Sequence, residues 1–252
     1  MRAEYELIDG QSSASTGERL YDYSPVAGRG FGLHVNDQTA KQAFPSATVA
    51  YRVFKRVLDI VLVLLLAPVL LPGCLIISVL LICTSSGPLF FSHRRICRNG
   101  AFFSMWKFRT MCTNSAEALD RYLADHPEAR KEWMSSHKLR HDPRVSAVGA
   151  FLRKYSLDEL PQIWNVFTGE MSLVGPRPIV AAEVEKYGES FSHYTRVKPG
   201  VTGLWQVSGR SSTSYSERVA LDCAYVENWS LMGDIKILSR TFPSVVQSNG
   251  AF

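Results

Sequence analysis

Hydrophobic and polar positions divide the chain into three unequal stretches. Residues 1–50 are rich in Ser, Gly, Thr and Ala, show no helical or strand period, and read as a flexible tail. Val57–Cys83 then runs for 27 residues with one charge, Asp59. Beyond it, polar and apolar positions alternate or recur at helical spacing, which predicts one folded domain over 86–245 and a short tail over 246–252. Within that domain Gly87–Met111 reads as a hairpin about Arg98-Asn99-Gly100, because Asn-Gly suits a tight turn. A helical pattern from Ser115 to about Leu139 is interrupted at Pro127, and Asp158–Phe167 is a further helix with Leu160, Ile163, Trp164 and Phe167 on one face. That stripe fits a core and, beside a membrane, fits its surface too. "RVKPGVTGLWQVSGR" reads as loop and short strand, and Ser216–Trp229 and Asp234–Phe242 as helices. The fold class is therefore α+β, predominantly helical.

The apolar stretch, assigned to a membrane helix over 51–85, is long enough to span. As a straight helix it would measure roughly 40 Å against an apolar core of about 30 Å. Pro68 near its middle argues for a bend, since an internal proline removes a hydrogen bond and clashes with the preceding turn at a cost of about 3 kcal/mol. The first limb, Val57–Ala67, would reach only about 16 Å. Positive charge flanks both ends: Arg52, Lys55 and Arg56 before, Arg94, Arg95 and Arg98 after. Cytoplasmic loops favour such charge, so a hairpin with both ends on one side satisfies both flanks. An ordinary kinked spanning helix remains the alternative.

Charge is uneven. The chain carries a net +5, yet Arg94–Lys154 holds 13 Lys and Arg against 6 Asp and Glu, and the remainder is slightly acidic. A basic block beside a membrane segment suits anionic headgroups or a phosphorylated substrate; a solvated basic face would look the same. It matches no nucleic-acid-binding module. The five cysteines, Cys74, Cys83, Cys97, Cys112 and Cys223, form neither a disulfide framework nor a zinc pattern, which fits a reducing, cytoplasmic setting. No cleavable signal peptide is expected.

Chemistry concentrates in "RKYSLDELPQIWNVFTGEMSLVGPRP", Arg153–Pro178. Asp158 and Glu159 stand at a predicted helix start, where Ser156 and Glu159 could form a capping box or Asp158 could cap directly. Capping is the plain reading of such acids. Arg153 and Lys154 just upstream, and Arg177 held between Pro176 and Pro178, add the means to grip phosphates, although a lone arginine between prolines is usually a solvated turn residue. Carboxylates and arginines together suit a metal ion and a diphosphate. There is no P-loop, no G-x-G-x-x-G after a strand, no H-E-x-x-H and no Asp-x-Asp pair.

"KRVLDIVLVLLLAPVLL", "WKFRTM", "DPRVSAVGAFLRKYSLDELPQIWNVFTGEMSLVGPRP", "KPGVTGLWQVSGR" and "ALDCAYVENWSLMGDIKIL" resemble, in order and from about Phe54 to Thr241, the bacterial sugar transferases: the monotopic polyprenyl-phosphate phosphoglycosyl transferases. The likeness is strongest to members that initiate exopolysaccharide synthesis with galactose 1-phosphate. The resemblance implies a single cytoplasmic catalytic domain on the bacterial inner membrane, anchored by one re-entrant helix broken at a residue-proline pair, here Ala67-Pro68. Some members carry Ser-Pro there, whose hydroxyl can engage freed backbone groups. It also implies transfer of a hexose 1-phosphate from a UDP-sugar to undecaprenyl phosphate with release of UMP. Asp158 would be the nucleophile of a covalent aspartyl-phosphosugar intermediate, and Asp158 and Glu159 would hold Mg2+. Arg153, Arg177 and Arg210 would bind phosphates, and Gln206, Arg218 and Asp222 would line the donor pocket, with a packed polar face the alternative for Asp222. The partners are a UDP-sugar, undecaprenyl phosphate and membrane lipid, with no nucleic acid and homodimerisation left open. A rival from another class is a non-catalytic membrane scaffold of an exopolysaccharide assembly complex.

Overall fold

The computed structural model describes residues 48–136, 139–209 and 213–246. The tail expected over 1–50 lies almost wholly outside them, as do Arg210 and residues 247–252. The first element, α1, spans Val49–Thr84, and the Thr48 hydroxyl caps it by accepting from the Tyr51 N–H at 3.1 Å. It is long and apolar enough to cross a membrane. Helix runs unbroken through Pro68 and Pro72, where the sequence predicts a break at Ala67-Pro68. An internal proline deletes one rung of the hydrogen-bond ladder, and the turns on either side can carry the helix past it.

Polar anchors fix the first limb of α1. Tyr51, Lys55, Asp59 and Val63 recur every fourth residue and are buried, so they form one stripe along the helix. Lys55 Nζ donates to Asp234 Oδ2 at 2.6 Å. Asp234 also accepts from the Tyr225 hydroxyl at 2.9 Å and from Trp229 Nε1 at 3.0 Å. Asp59 Oδ1 accepts from the Ser172 hydroxyl and the Leu173 N–H, both at 3.0 Å. The second limb docks by different means. Ile77 and Leu81 pack with Phe108 and Leu152, and Arg109 reaches back to the Ser85 carbonyl and hydroxyl and to the Pro88 carbonyl. Between the limbs Leu64, Leu65, Leu66, Val69, Leu71, Leu75 and Ile76 are exposed.

The hairpin forms as expected. Strands β1 (Phe90–Ile96) and β2 (Phe102–Phe108) pair antiparallel from Phe90↔Phe108 to Ile96↔Phe102. Their turn holds Asn99 and Gly100 in the left-handed region, at φ +62° and +73°, which these two residue types adopt with least strain. The interrupted helical pattern becomes α2 (Ser115–Asp125) and α3 (Pro127–Ser136). Helix α4 (Ala147–Lys154), which the sequence reading did not predict, is capped by Ser146. A Cβ on Gly149 would meet the Thr110 carbonyl, so this glycine lets α4 lie directly on the chain leaving β2.

The helix predicted over Asp158–Phe167 is two pieces. Leu157–Glu159 forms a single 3-10 turn, and α5 begins only at Gln162, running to Thr168. Pro161, which has no N–H to donate, stands between the pieces, and Ser156 at φ +55° sets the first of them off from α4. Short strands β3 (Ser172–Val174) and β4 (Gly200–Thr202) pair in parallel. Between them lie the one-turn helices α6 (Val184–Tyr187) and α7 (Phe191–Tyr194). Helices α8 (Leu204–Ser208), α9 (Tyr215–Glu227) and α10 (Leu231–Val246) complete the domain. The largest core cluster joins Tyr51 and Val63 of α1 to Phe103, Met105, Val166, Leu173, Tyr225 and Ile237.

Replacing Asp234 by Asn should cost about 3–5 kcal/mol, because it leaves the Lys55 ammonium buried without its counter-charge. Thermal unfolding in detergent checks this, and the double change Lys55→Met with Asp234→Leu should recover most of the loss.

Candidate active site

The register of the hairpin puts His93 and Arg95 of β1 and Lys107 of β2 on one face with the buried Phe103 and Met105. The apolar half of that face seats the hairpin on the core and carries the cationic half with it. Lys107 Nζ meets Glu159 Oε1 at 2.6 Å and Asp158 Oδ2 at 3.6 Å. Arg153, at the last turn of α4, donates from Nε to the Thr110 hydroxyl at 2.8 Å. The close approach at Gly149 brings that turn to the strand end. Arg144 pairs with Asp142 at 2.6 Å in the preceding loop.

Asp158 caps nothing. Ser156, the expected partner of a capping box, is left-handed and makes no side-chain cap bond, and the residue before α5 is Pro161. Asp158 is 7% exposed. Burial pushes it above the ordinary carboxylate range; Lys107 opposes that shift, Glu159 adds to it, and Arg153 opposes it. Among the described residues no side chain donates a hydrogen bond to Asp158, because Lys107 spends its short contact on Glu159. A desolvated carboxylate steadied by charge but not saturated by donors can act as a nucleophile. The left-handed Ser156 two residues upstream is strained for a non-glycine residue, a feature that clusters at functional sites.

A second group of predicted residues assembles on the far side of Arg95. Arg177 is exposed between buried Pro176 and Pro178, so the rigid turn presents its guanidinium outward. Arg177 and Arg218 both lie over the Trp205 ring, at 5.9 and 4.6 Å. Gln206, next to Trp205 on α8, donates to the Val201 carbonyl at 3.2 Å. Asp222 on α9 is buried and accepts from the Tyr187 hydroxyl at 2.7 Å. Burial pushes its carboxyl up to about 7, against the Tyr187 hydrogen bond and the Arg177 charge. Among the described residues Asp222 Oδ1, Gln206 Oε1, Arg95 Nε and the Tyr215 hydroxyl have no hydrogen-bond partner. Buried polar atoms without partners are costly, and several in one region suit a polar ligand. Arg95, ion-paired to Glu183 at 3.6 Å, feels the charges of both Arg177 and Glu159 and so links the two groups. Burial pushes its guanidinium down, and Arg177 adds to that.

Asp158, Glu159 and Arg153 thus meet in one cluster, and Arg177, Arg218, Gln206 and Asp222 in the other; Arg210 lies outside the described residues. The sequence reading missed Lys107, Arg95, Trp205 and Tyr187. A signal for Lys107 was present: it extends the inward-facing stripe of Phe103 and Met105, where a lysine is out of place unless paired. The two carboxylates fit a magnesium ion that takes its other oxygens from a substrate diphosphate and water. No group of three or more candidate ligands occurs among the described residues.

A family model described as bacterial sugar transferase matches residues 50–248. The exopolysaccharide production protein ExoY of Sinorhizobium fredii is 44% identical over 221 residues, 85% of this chain and 98% of that one. The UDP-galactose-lipid carrier transferase of Erwinia amylovora is 48% identical over 201 residues, 80% of this chain. The undecaprenyl-phosphate galactose phosphotransferase of Salmonella typhimurium is 52% identical over 166 residues, 66% of this chain. The chain spans only 42% and 35% of the lengths of the last two.

Replacing Lys107 by Met removes the main group that holds the Asp158 proton off. The Asp158 titration, followed by carbon NMR of aspartate-labelled protein, should move to higher pH; an unmoved midpoint would mean that Lys107 does not act on it.

Proposed function

The chain belongs to the bacterial sugar transferase family, and on that premise we propose that it moves a hexose 1-phosphate from a UDP-sugar to undecaprenyl phosphate, releasing UMP. The buried, non-capping Asp158 between Lys107 and Arg153 carries this reading. Galactose is the favoured sugar, on the names of the Erwinia and Salmonella relatives.

The Asp158 carboxylate attacks the sugar-proximal phosphorus. The bond from that phosphorus to the bridging oxygen breaks, UMP leaves with the electron pair, and an acyl phosphate joins Asp158 to the sugar phosphate. A phosphate oxygen of undecaprenyl phosphate then attacks the same phosphorus, the acyl phosphate bond breaks, and Asp158 is released as carboxylate. Lys107 and Arg153 oppose the upward shift that burial imposes on Asp158 and so favour its carboxylate form, and Lys107 holds Glu159 beside it. Arg177, exposed on its proline-fixed turn, grips diphosphate oxygens, while Asp222, Gln206 and Arg218 surround the donor about Trp205. Asp158 and Glu159 would also hold Mg2+, which would neutralise charge on the diphosphate.

Membrane placement belongs to the same proposal. Both limbs of α1 dock on the domain while its middle stays bare, which favours a re-entrant helix over a straight span. Trp164 and Phe167, 5.7 Å apart and exposed on α5, flank α1 through the bond from Arg56 to the Phe167 carbonyl. Leu160 and Ile163 pack inward, so the predicted stripe divides between core and surface. Re-entry keeps the catalytic domain on the cytoplasmic face, where the lipid phosphate and the soluble nucleotide sugar meet.

Detergent-solubilised protein given Mg2+, undecaprenyl phosphate and a panel of UDP-sugars should release UMP with one donor, and Asp158→Asn should lower the rate by roughly three orders of magnitude or more. Because the folded-state pKa of Asp158 lies above its unfolded value, ionisation there opposes folding once pH exceeds the folded pKa. Asp158→Asn should therefore unfold no earlier than wild type at pH 8, with the difference closing below the ordinary carboxylate range. Full activity in that variant would remove Asp158 as the nucleophile, and no UMP release from folded wild type with any donor would favour the scaffold.

A further inference from the structure

A cavity of about 260 Å³ opens at the foot of α1, lined by six cations from three parts of the chain: Arg52, Lys55, Arg56, Arg98, Arg196 and Lys198. This volume is several times the roughly 30 Å³ of a water molecule. Asp59 is its one acidic lining residue, and its Oδ1 is already engaged by Ser172 and Leu173. Lys55 is matched by Asp234. Arg56 donates to the Val166 and Phe167 carbonyls at 2.6 and 2.7 Å, which fixes its guanidinium without neutralising it. Lys198 Nζ and the Arg56 guanidinium both crowd Gly169, whose φ of +89° turns the chain there. Burial pushes the Lys198 ammonium below the ordinary lysine range, and the charges of Arg56 and Arg98 push it further. Like charges gathered in excess of carboxylates are unfavourable unless an anion joins them.

The cavity is separate from the catalytic cluster. It shares no residue with Asp158, Glu159, Lys107 or Arg153. Arg56 binds the carboxyl end of α5, whereas Glu159 precedes its amino end, so about 10 Å of helix lies between them. Its position is interfacial. Exposed apolar side chains of α1 begin within two turns of Arg56, and the exposed Trp164 and Phe167 stand beside it.

We propose that this cavity is a phosphate site that holds the headgroup of an anionic phospholipid beside the membrane helix. Arg98 from the hairpin turn, Lys198 from the loop before β4, and Arg52 and Arg56 from α1 converge on the phosphodiester. The lipid thereby ties the hairpin and the β4 loop to the helix where it enters the bilayer. The site does not depend on the reaction proposed for Asp158.

The test compares wild type with Arg98→Ala/Lys198→Ala, both full length. In nanodiscs, native mass spectrometry counts retained phosphatidylglycerol against phosphatidylcholine. In phospholipid-free detergent, calorimetry measures orthophosphate binding. Wild type should retain phosphatidylglycerol selectively and gain several degrees in melting temperature from it, and the double variant should lose both by about tenfold or more in lipid retention. The lipid-free variant should melt at or above wild type, because crowded cations have been removed, and this shows that it folds. Equal phosphatidylglycerol retention by the two proteins would overturn the lipid assignment: loss of orthophosphate binding alone would make the ligand soluble, and loss of neither would remove the site.

Discussion

One buried charge pair holds this architecture in register. Lys55 of α1 and Asp234 of α10 meet at 2.6 Å with almost no solvent contact, and Tyr225 and Trp229 complete the hydrogen bonding of the carboxylate. One turn further along α1, Asp59 accepts two bonds from β3. A buried charge is tolerated only where its partners stand at fixed positions. These two residues therefore allow α1 one rotation and one depth against the domain. An apolar helix alone would slide or turn at small cost, since its contacts are non-directional.

That fixed helix positions the rest. Arg56, one residue after Lys55, reaches the last carbonyls of α5 and sets that helix against α1. The 3-10 turn bearing Asp158 and Glu159 leads into α5, so the carboxylates stand at a defined place relative to α1. The hairpin closes the other side, its Lys107 delivered to the carboxylates by strand register and its Arg95 to the second cluster. Helix α4 adds Arg153 because Gly149 has no side chain to hold it away. In this arrangement opposing charges steady a desolvated carboxylate without occupying its oxygens, the condition a nucleophile needs.

Cationic groups then divide between two tasks. Lys107, Arg153, Arg95 and Arg177 face the two site clusters, whereas Arg52, Arg56, Arg98 and Lys198 gather at the foot of α1. The basic block read along Arg94–Lys154 is thus no single patch. Alternation along β1 and the turn that follows it send neighbouring residues to different places: Arg95 to the inward face, Arg94 over the Phe102 ring at 4.3 Å, and Arg98 to the cavity at the foot of α1.

Much of this is legible in the sequence alone. The Asn-Gly turn, the interruption at Pro127, the apolar helix and the closeness of Arg153 to Asp158 are local signals, fixed by backbone preference or adjacency along the chain. The sequence also offered a helix beginning at Asp158, with capping as the ordinary role of its acids. Only the tertiary structure divided that stretch, because Ser156 takes a left-handed conformation that spacing does not reveal and sets the turn off from α4, and Pro161 stands between the turn and α5. The partner Lys107, 51 residues before Asp158, and the partner Asp234, 179 residues after Lys55, were likewise beyond a linear reading. Periodicity reports which face of an element is apolar. Which charge meets which across the core depends on how the elements pack, and that is decided by the whole chain at once.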